Sequence, residues 1–304
     1  VGTASINLKQ HKEAINPLKK ATQLDLDFKE AYYALGNTYN NLKQYQLAIE
    51  SLNQTIRIDN QHSLAYLALG IANTNLKKFD LAISQLNKAI ILNPSLSDAH
   101  YSLGVSLMET EQFKEAAVSL DKITSDDPNY PDAQSHLGRV FSKLKQYQKA
   151  IVALKESIKV RPNFTESFIK LGSIYTALGK NSQAILYLQE AIKSDPKNPE
   201  AHHNLGLVYE VAGRHQDAIG AYNAAIRLNP SSSNYHYNLS WAFIESKRYI
   251  EALVPLKSAI RLNPKNTNAH YSLGWVYGEL KRHGQAIAVL KKVLLLDSNH
   301  IAAR

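Results

Sequence analysis

A period of 34 residues runs through this chain and limits what it can fold into. The hexapeptide AHYSLG begins at residue 99 and again at residue 269, five such periods later. Steps of 34 residues from Gly104 in both directions reach seven further glycines and, at one position, Ser240. An alanine lies 12 residues after each of these nine positions, from Ala14 to Ala286. The chain is therefore a tandem array of short units, each of which needs its neighbours to bury its apolar side.

Each unit carries two apolar stripes with the spacing of an α-helix. With Lys29 numbered as position 1, positions 4, 7, 8 and 11 share one side of a first helix. Positions 20, 21, 24 and 28 share one side of a second helix. Proline at position 32 closes most units, and Gly179 and Gly213 suit a left-handed turn between the two helices. Glycine at position 8 and alanine at position 20 let the helices approach closely, while leucines at positions 7 and 24 fill the space around them.

The 34-residue period, the Leu-Gly pair at positions 7 and 8, the alanine at position 20 and the proline at position 32 resemble the tetratricopeptide repeat. Position 11 is aromatic in most units, as Tyr39, Phe141, Tyr175, Tyr209, Phe243 and Tyr277. The resemblance implies an all-α fold, a right-handed superhelical solenoid of antiparallel helix pairs in one array over residues 1–304. It predicts a partial repeat at 1–28, the start of a further repeat at 301–304, and full repeats at 29–62, 63–96, 97–130, 131–164, 165–198, 199–232, 233–266 and 267–300. Pentatricopeptide RNA readers are a neighbouring family, but the strict step of 34 residues argues against them.

Composition and motifs argue against several other classes of function. Apolar residues make up 44% and charged residues 20% of the chain, as in folded proteins, and no apolar run is long enough to span a bilayer. The chain has no cysteine, which excludes thiolate metal sites and leaves the compartment undecided. No motif of a nucleotide-binding or hydrolytic site is present, so we expect no catalytic residue, metal or cofactor. The net charge of +9 forms no continuous basic stripe, which disfavours nucleic acid as a partner.

Histidines recur at position 4 of the first helix. Because this position lies on the buried stripe, and because successive copies are too far apart to share one ion, we expect them to be structural. They are His100, His202, His236 and His270.

The face opposite the buried stripe carries the functional prediction, since fold alone does not define function. In tetratricopeptide proteins, positions 2, 5, 9 and 13 line the concave groove that binds extended peptides. Near the C-terminal end this face carries aromatic rings and amides, which suit the side chains and the backbone of such a peptide. The predicted peptide-binding site consists of Tyr237, Trp241, Tyr271, Trp275, Asn204 and Asn238. The alternative is that these rings pack between adjacent repeats and serve only the fold.

A second set of residues on or beside the same face is basic. Residues 139–180 contain nine basic and two acidic side chains, which suits an acidic segment, a carboxyl terminus or a phosphate. The predicted acidic-segment site consists of His136, Arg139, Lys143 and Lys170. The ligand-holding set of the chaperone-binding tetratricopeptide domains is absent. A third, apolar strip is expected to pack between repeats, and comprises Tyr33, Leu67, Ile71, Tyr101 and Val105.

Together these observations predict a non-enzymatic scaffold that binds a peptide segment of a protein partner along its concave face. The alternative is the substrate-presenting arm of a multidomain enzyme, as in the O-linked N-acetylglucosamine transferases, whose arrays carry an asparagine ladder at position 6. Only Asn204 and Asn238 match that ladder here. The apolar residues between Ala286 and Leu294 in the last complete helix also predict either further repeats or an end-to-end homo-oligomer.

Overall fold

The chain is helical throughout its described length. The computed structural model describes residues 2–297, with side chains from Gln10 onward. Its helices form two compact units, which divide between Val160 and Arg161. The first unit contains α1 (Gly2–Leu24), α2 (Lys29–Asn41), α3 (Tyr45–Ile58), α4 (Ser63–Asn75), α5 (Phe79–Leu92), α6 (Ser97–Glu109), α7 (Phe113–Leu120), α8 (Tyr130–Lys143) and α9 (Tyr147–Val160). The second contains α10 (Thr165–Ala177), α11 (Asn181–Ser194), α12 (Pro199–Val211), α13 (His215–Leu228), α14 (Ser233–Glu245), α15 (Tyr249–Leu262), α16 (Thr267–Glu279) and α17 (His283–Leu296). The predicted start of a further repeat at 301–304 lies outside the described residues.

Within each unit the helices pack in consecutive pairs, and this is the predicted all-α repeat. The pairs are α2 with α3, α4 with α5, α6 with α7 and α8 with α9 in the first unit, and α10 with α11, α12 with α13, α14 with α15 and α16 with α17 in the second. First helices of neighbouring repeats also touch, for example α4 with α6 and α12 with α14. Each unit has a buried apolar core of its own, with Leu86 and Leu120 in the first and Tyr222 and Leu256 in the second.

The first helix of each complete repeat begins at position 1, except that α8 begins one residue earlier, at Tyr130. Side chains cap three of these helices by accepting the backbone N–H three residues later. Nδ1 of His62 accepts from Ala65 at 3.1 Å, and Oδ1 of Asn198 accepts from Ala201 at 3.1 Å. Such a cap satisfies one of the backbone donors that a helix start leaves without a partner.

Close approach of the paired helices is confirmed at position 8. A Cβ built on Gly138 would lie 2.4 Å from Cγ of Leu154, and one on Gly36 would lie 2.5 Å from Cγ of Leu52. The leucine at position 24 therefore occupies the space that a side chain at position 8 would need. Ser240 takes this position in one repeat, where it is fully buried and its Oγ donates to the carbonyl of Tyr237 at 2.5 Å.

The turn between the two helices of a pair needs a residue with positive φ at position 15. Gly179 and Gly213 have φ of 70° and 71°, as their sequence predicts. In the other complete repeats a residue with a full side chain adopts the same backbone conformation, with φ between 57° and 60°: Lys43, Lys77, Glu111, Lys145, Lys247 and Lys281. Packing of the paired helices therefore imposes a conformation that these residues disfavour by themselves.

Two segments differ from the regular pattern of helix pairs. In the segment assigned to the partial repeat, α1 runs without a break from Gly2 to Leu24. The same Leu-Lys-Gln sequence at 42–44 forms the turn between α2 and α3, so local sequence alone does not decide whether this segment turns. In the third complete repeat, α7 ends at Leu120, because the following residues include Thr124, Ser125 and Asp126, which favour turns over helix interiors.

Candidate functional site

Three of the predicted aromatic residues line one cleft in the second unit. Trp241 of α14 and Tyr271 and Trp275 of α16 surround a volume of about 240 Å³. Ile244, Glu245 and Ser272 complete the lining. The cleft is mainly apolar, with a carboxylate and a hydroxyl group among the residues that line it, which is the usual composition of a small ligand-binding site.

The two tryptophans remain exposed because of their position in the repeat. Each occupies position 9, beside the buried glycine or serine at position 8, and thus points away from the paired helix. Trp241 is 40% and Trp275 is 38% exposed. Trp275 also contacts Tyr249 of α15 edge-on, with ring centroids 5.5 Å apart and planes at 83°. One edge of Trp275 therefore packs against the neighbouring repeat, as the structural alternative predicts, while a large part of each indole ring stays open to solvent.

The other three residues of the predicted site lie elsewhere. Tyr237 is partly buried against the core of the second unit and does not line the cleft. Asn238 contacts His203, with its Nδ2 2.8 Å from the ring Nε2, and Asn204 does not line the cleft either. The structure thus joins Trp241, Tyr271 and Trp275 but does not bring the two asparagines to them.

His203 is the centre of a polar and aromatic cluster that sequence reasoning missed. Its ring stacks on Tyr235, with centroids 4.6 Å apart, and tilts against Tyr222 at 5.7 Å. Burial lowers the pKa of His203 to about 4, against a smaller upward effect of its hydrogen bond to Asn204. The ring is therefore neutral at pH 7, and because an amide nitrogen only donates, Nε2 accepts from Asn238.

Tyr222 connects this cluster to a half-buried carboxylate. Its hydroxyl group donates to Oε2 of Glu210 at 2.5 Å, and its ring fills the space over Gly206. Burial raises the pKa of Glu210, the hydrogen bond from Tyr222 and the charge of His215 oppose this, and the charge of Glu245 is the smallest contribution, which raises the pKa. The sequence does mark this cluster, because position 24 is leucine in every other complete repeat and tyrosine only at Tyr222.

The residues of the predicted acidic-segment site are divided between the two units. His136, Arg139 and Lys143 lie on α8, whereas Lys170 lies on α10. Arg139 pairs with Oε1 of Glu109 at 3.4 Å, Lys170 pairs with Glu166, and Nε2 of His136 lies 3.2 Å from the hydroxyl oxygen of Tyr101. The exposed Arg139 pair contributes little energy, whereas the Lys170 side chain is only 19% exposed and the His136 contact is partly buried. This site stays a prediction.

A second cleft, in the first unit, contains part of the predicted apolar strip. Tyr33, Leu67 and Ile71 line it, over a volume of about 210 Å³. Amides surround these residues, which sequence reasoning did not single out: Asn37, Asn40, Asn41 and Asn75. Three of the amides are already engaged. Nδ2 of Asn40 donates to the carbonyl of Ala68 at 3.0 Å, Nδ2 of Asn41 lies 3.3 Å from Nε2 of His11, and Oδ1 of Asn75 accepts from Tyr45 at 3.0 Å.

The histidines at position 4 share one structural role. In each, Nε2 donates to the carbonyl of the proline six residues earlier, at 3.0 or 3.1 Å. The bond ties the first helix to the turn that precedes it. Within the described part of the chain, no group of three or more acidic or histidine side chains is placed to hold a metal ion. Among residues 2–297, no helix combines the length and the apolar character that crossing a membrane requires.

Comparison with known proteins decides the family. Models of the tetratricopeptide repeat match residues 29–62, 67–131, 107–168, 169–233, 212–256 and 243–304. The chain belongs to the tetratricopeptide repeat family. Members of this family are in general non-catalytic scaffolds for protein interaction, and the matching models all describe the repeat. No match to a curated protein was found.

Solved structures of tetratricopeptide proteins have the same fold. YrrB, described as a TPR protein with an unusual peptide-binding site, is 22% identical over 60% of this chain and 94% of its own, with a TM-score of 0.50. MamA is 25% identical over 57% of this chain and 94% of its own, with a TM-score of 0.52. The C-terminal part of a TPR repeat-containing protein from Cytophaga hutchinsonii is 16% identical over 78% of this chain and 97% of its own, with a TM-score of 0.63.

Proposed function

We propose that this chain is a non-enzymatic scaffold whose second unit binds an extended peptide segment of a partner protein on the face formed by positions 5 and 9. One observation carries the proposal. The two tryptophans of the chain occupy the same position in consecutive repeats, and both stay open to solvent around one cleft. Exposed rings in such an arrangement are typical of an interaction site.

The exposed area of the two rings is enough to anchor a peptide. A buried tryptophan removes up to about 250 Å² from water, so rings that are 40% and 38% exposed leave roughly 100 Å² each to cover. At about 25 cal/mol per Å², covering one ring stabilises the complex by roughly 2.5 kcal/mol before the entropy of association is subtracted. This magnitude lies in the range of an interface hot spot.

Membership of the tetratricopeptide repeat family supports a protein-binding role, and YrrB, which has the same fold, is described as having a peptide-binding site. The alternative, a substrate-presenting arm of an enzyme, relied on an asparagine ladder at position 6. Neither of the two asparagines that match this ladder lines the cleft, and Asn238 contacts His203 instead. The cleft therefore favours anchoring of side chains over a ladder that follows the peptide backbone.

The test uses a phage library of random nonapeptides selected on the full chain. Selected peptides are then titrated against the wild type, a Trp241→Ala/Trp275→Ala double variant, and an Ile250→Ala control. Ile250 is an exposed apolar residue of α15, outside the cleft. We expect the double variant to bind at least 30-fold more weakly, as the loss of about 2 kcal/mol requires, and the control to bind normally.

Thermal melts of the same three proteins separate binding from packing. If the double variant melts much earlier but binds the selected peptides with unchanged affinity, the rings serve the fold and the proposal is wrong. Failure of the library to yield any peptide that prefers the wild type to the double variant would also refute it.

A further inference from the structure

We infer that the cleft takes a cationic side chain, a lysine or an arginine of the bound segment, against the rings of Trp241 and Trp275 and beside the carboxylate of Glu245. This inference rests on the proposed function and names the chemistry of the residue that the site selects. It follows from the charge of the lining, from the aromatic character of the walls, and from the position of Glu245 at the end of a helix.

The cleft is acidic in a basic protein. The chain has 35 lysines and arginines against 26 aspartates and glutamates, yet no lysine or arginine lines this cleft and Glu245 does. Glu245 is exposed and forms no ion pair with any residue between Gln10 and Asp297. Its carboxylate is thus available to an incoming cation.

Two further features make this place negative. Glu245 is the last residue of α14, where the helix dipole adds partial negative charge and favours a cation. The carboxylate of Glu210 lies close enough for the charge of Glu245 to contribute to its raised pKa, although burial is the larger cause. A cation in the cleft would reduce the repulsion between these two carboxylates.

The walls of the cleft suit a cation as well. The face of an indole ring attracts ammonium and guanidinium groups more strongly than any other side-chain ring. The same unit already uses this contact, because the guanidinium of Arg214 lies 4.5 Å from the ring centroid of Tyr209 and that of Arg248 lies 4.8 Å from the ring of Phe243. Trp241 and Trp275 have no arginine or lysine over their rings among the described contacts.

A neutral side chain fits the lining less well. Its methylene groups would cover the indole rings as effectively as those of lysine, but it would also shield Glu245 from water without supplying a partner. A lysine or arginine covers the same rings with its stem and places its charge at the carboxylate. The lining therefore discriminates by charge among side chains of similar length.

Tryptophan fluorescence of this chain tests the inference, because its two tryptophans both line the cleft. The probes are N-acetyl-lysinamide, N-acetyl-argininamide and N-acetyl-norleucinamide, titrated to 100 mM at constant ionic strength. We expect both cationic probes to bind about tenfold more tightly than the norleucine probe. The variant Glu245→Gln should lose most of this preference. Glu279→Gln is the matched control, since Glu279 occupies the same position 13 one repeat later and does not line the cleft.

Equal or tighter binding of the norleucine probe would overturn the inference, and so would an unchanged preference in Glu245→Gln or the absence of any emission change with both cations. These outcomes are distinct from failure of the proposed function. Library peptides that need both tryptophans but contain no shared basic residue would leave the scaffold function standing and reject the cationic anchor.

Discussion

Replacement of Gly172 by alanine tests the packing at position 8, on which the whole array depends. A Cβ at Gly172 would lie 2.4 Å from Cγ, 2.8 Å from Cδ2 and 3.0 Å from Cδ1 of Leu188. Leu188 is fully buried, so it cannot move its side chain into solvent to make room. Gly220 offers a matched control in the same unit, since it is also helical but a Cβ there would meet nothing within 4 Å.

The two substitutions have opposite expected signs. Overpacking of a filled core costs about 1–3 kcal/mol, and three atoms at or below 3.0 Å place Gly172→Ala near the upper end. Alanine favours a helix over glycine by about 1 kcal/mol, which offsets part of this cost. We therefore expect Gly172→Ala to lower the free energy of unfolding by about 2 kcal/mol, and Gly220→Ala to raise it by about 1 kcal/mol.

The assay is urea unfolding of the full chain followed by circular dichroism, with thermal melts as a second measure. For a unit of this size, a loss of about 2 kcal/mol lowers the melting temperature by roughly 4–8 °C. The double variant Gly172→Ala/Leu188→Ala completes a thermodynamic cycle. In the Leu188→Ala background, where the obstructing side chain is gone, the alanine at 172 should cost nothing or stabilise.

Equal effects of the two glycine substitutions would refute this reasoning, because the helix propensity gained is the same and only the contact with Leu188 differs. A full penalty for Gly172→Ala in the Leu188→Ala background would also contradict it, since the cost would then come from some other contact.

Three further predictions concern one turn of the first unit and the polar cluster of the second unit. Because the folded pKa of His203 is about 4, below its ordinary 6.5, its contribution to stability is complete above pH 6.5 and is lost as pH falls towards 4. His203→Gln should reduce this acid-induced loss by about 2 kcal/mol after allowance for partial exposure. The measurement is urea unfolding of the wild type and the variant at pH 7 and pH 4, and the same loss of stability in both proteins would contradict the prediction. Lys77→Gly should raise the free energy of unfolding by about 0.5–1 kcal/mol, because the backbone φ of Lys77 is 58°, a conformation that glycine adopts without strain. The control Lys88→Gly, inside α5, should lower it by about 1 kcal/mol, and a change of the same sign for both variants would count against strain at the turn. Tyr222→Phe should cost about 1–2 kcal/mol at pH 7 by leaving Glu210 without its donor, and a change below about 0.3 kcal/mol in the urea midpoint analysis would show that water replaces the hydroxyl group.

The sequence by itself determined the repeat, the class of fold and the face that deserves functional interest. These features depend on residues whose effect is local and recurs every 34 residues, such as the apolar spacing, the glycine at position 8 and the proline at position 32. A recurrent pattern averages out the exceptions, so Ser240 does not disturb the prediction. The exposed position of Trp241 and Trp275 likewise followed from helical periodicity alone.

Only the tertiary structure decided which side chains meet. Asn204 and Asn238 share the predicted face with the tryptophans, but neither lines the cleft, and Asn238 contacts His203. Spacing along a helix cannot show this, because a side chain on a face can turn towards either neighbouring repeat. The presence of Glu245 in the cleft could not be predicted for the same reason. Position 13 is acidic in several repeats, but only at Glu245 does it line the cleft beside the two tryptophans.

The backbone of the turns at position 15 also depends partly on local sequence and partly on tertiary packing. Lysine has no local preference for positive φ, and the sequence therefore marked this turn only where it is glycine. Two paired helices held together by a leucine over a glycine must reverse direction within a few residues, whatever residue lies at the turn. Local sequence thus determined where each helix can form, and the packing energy between helices determined the conformation of the residues that join them.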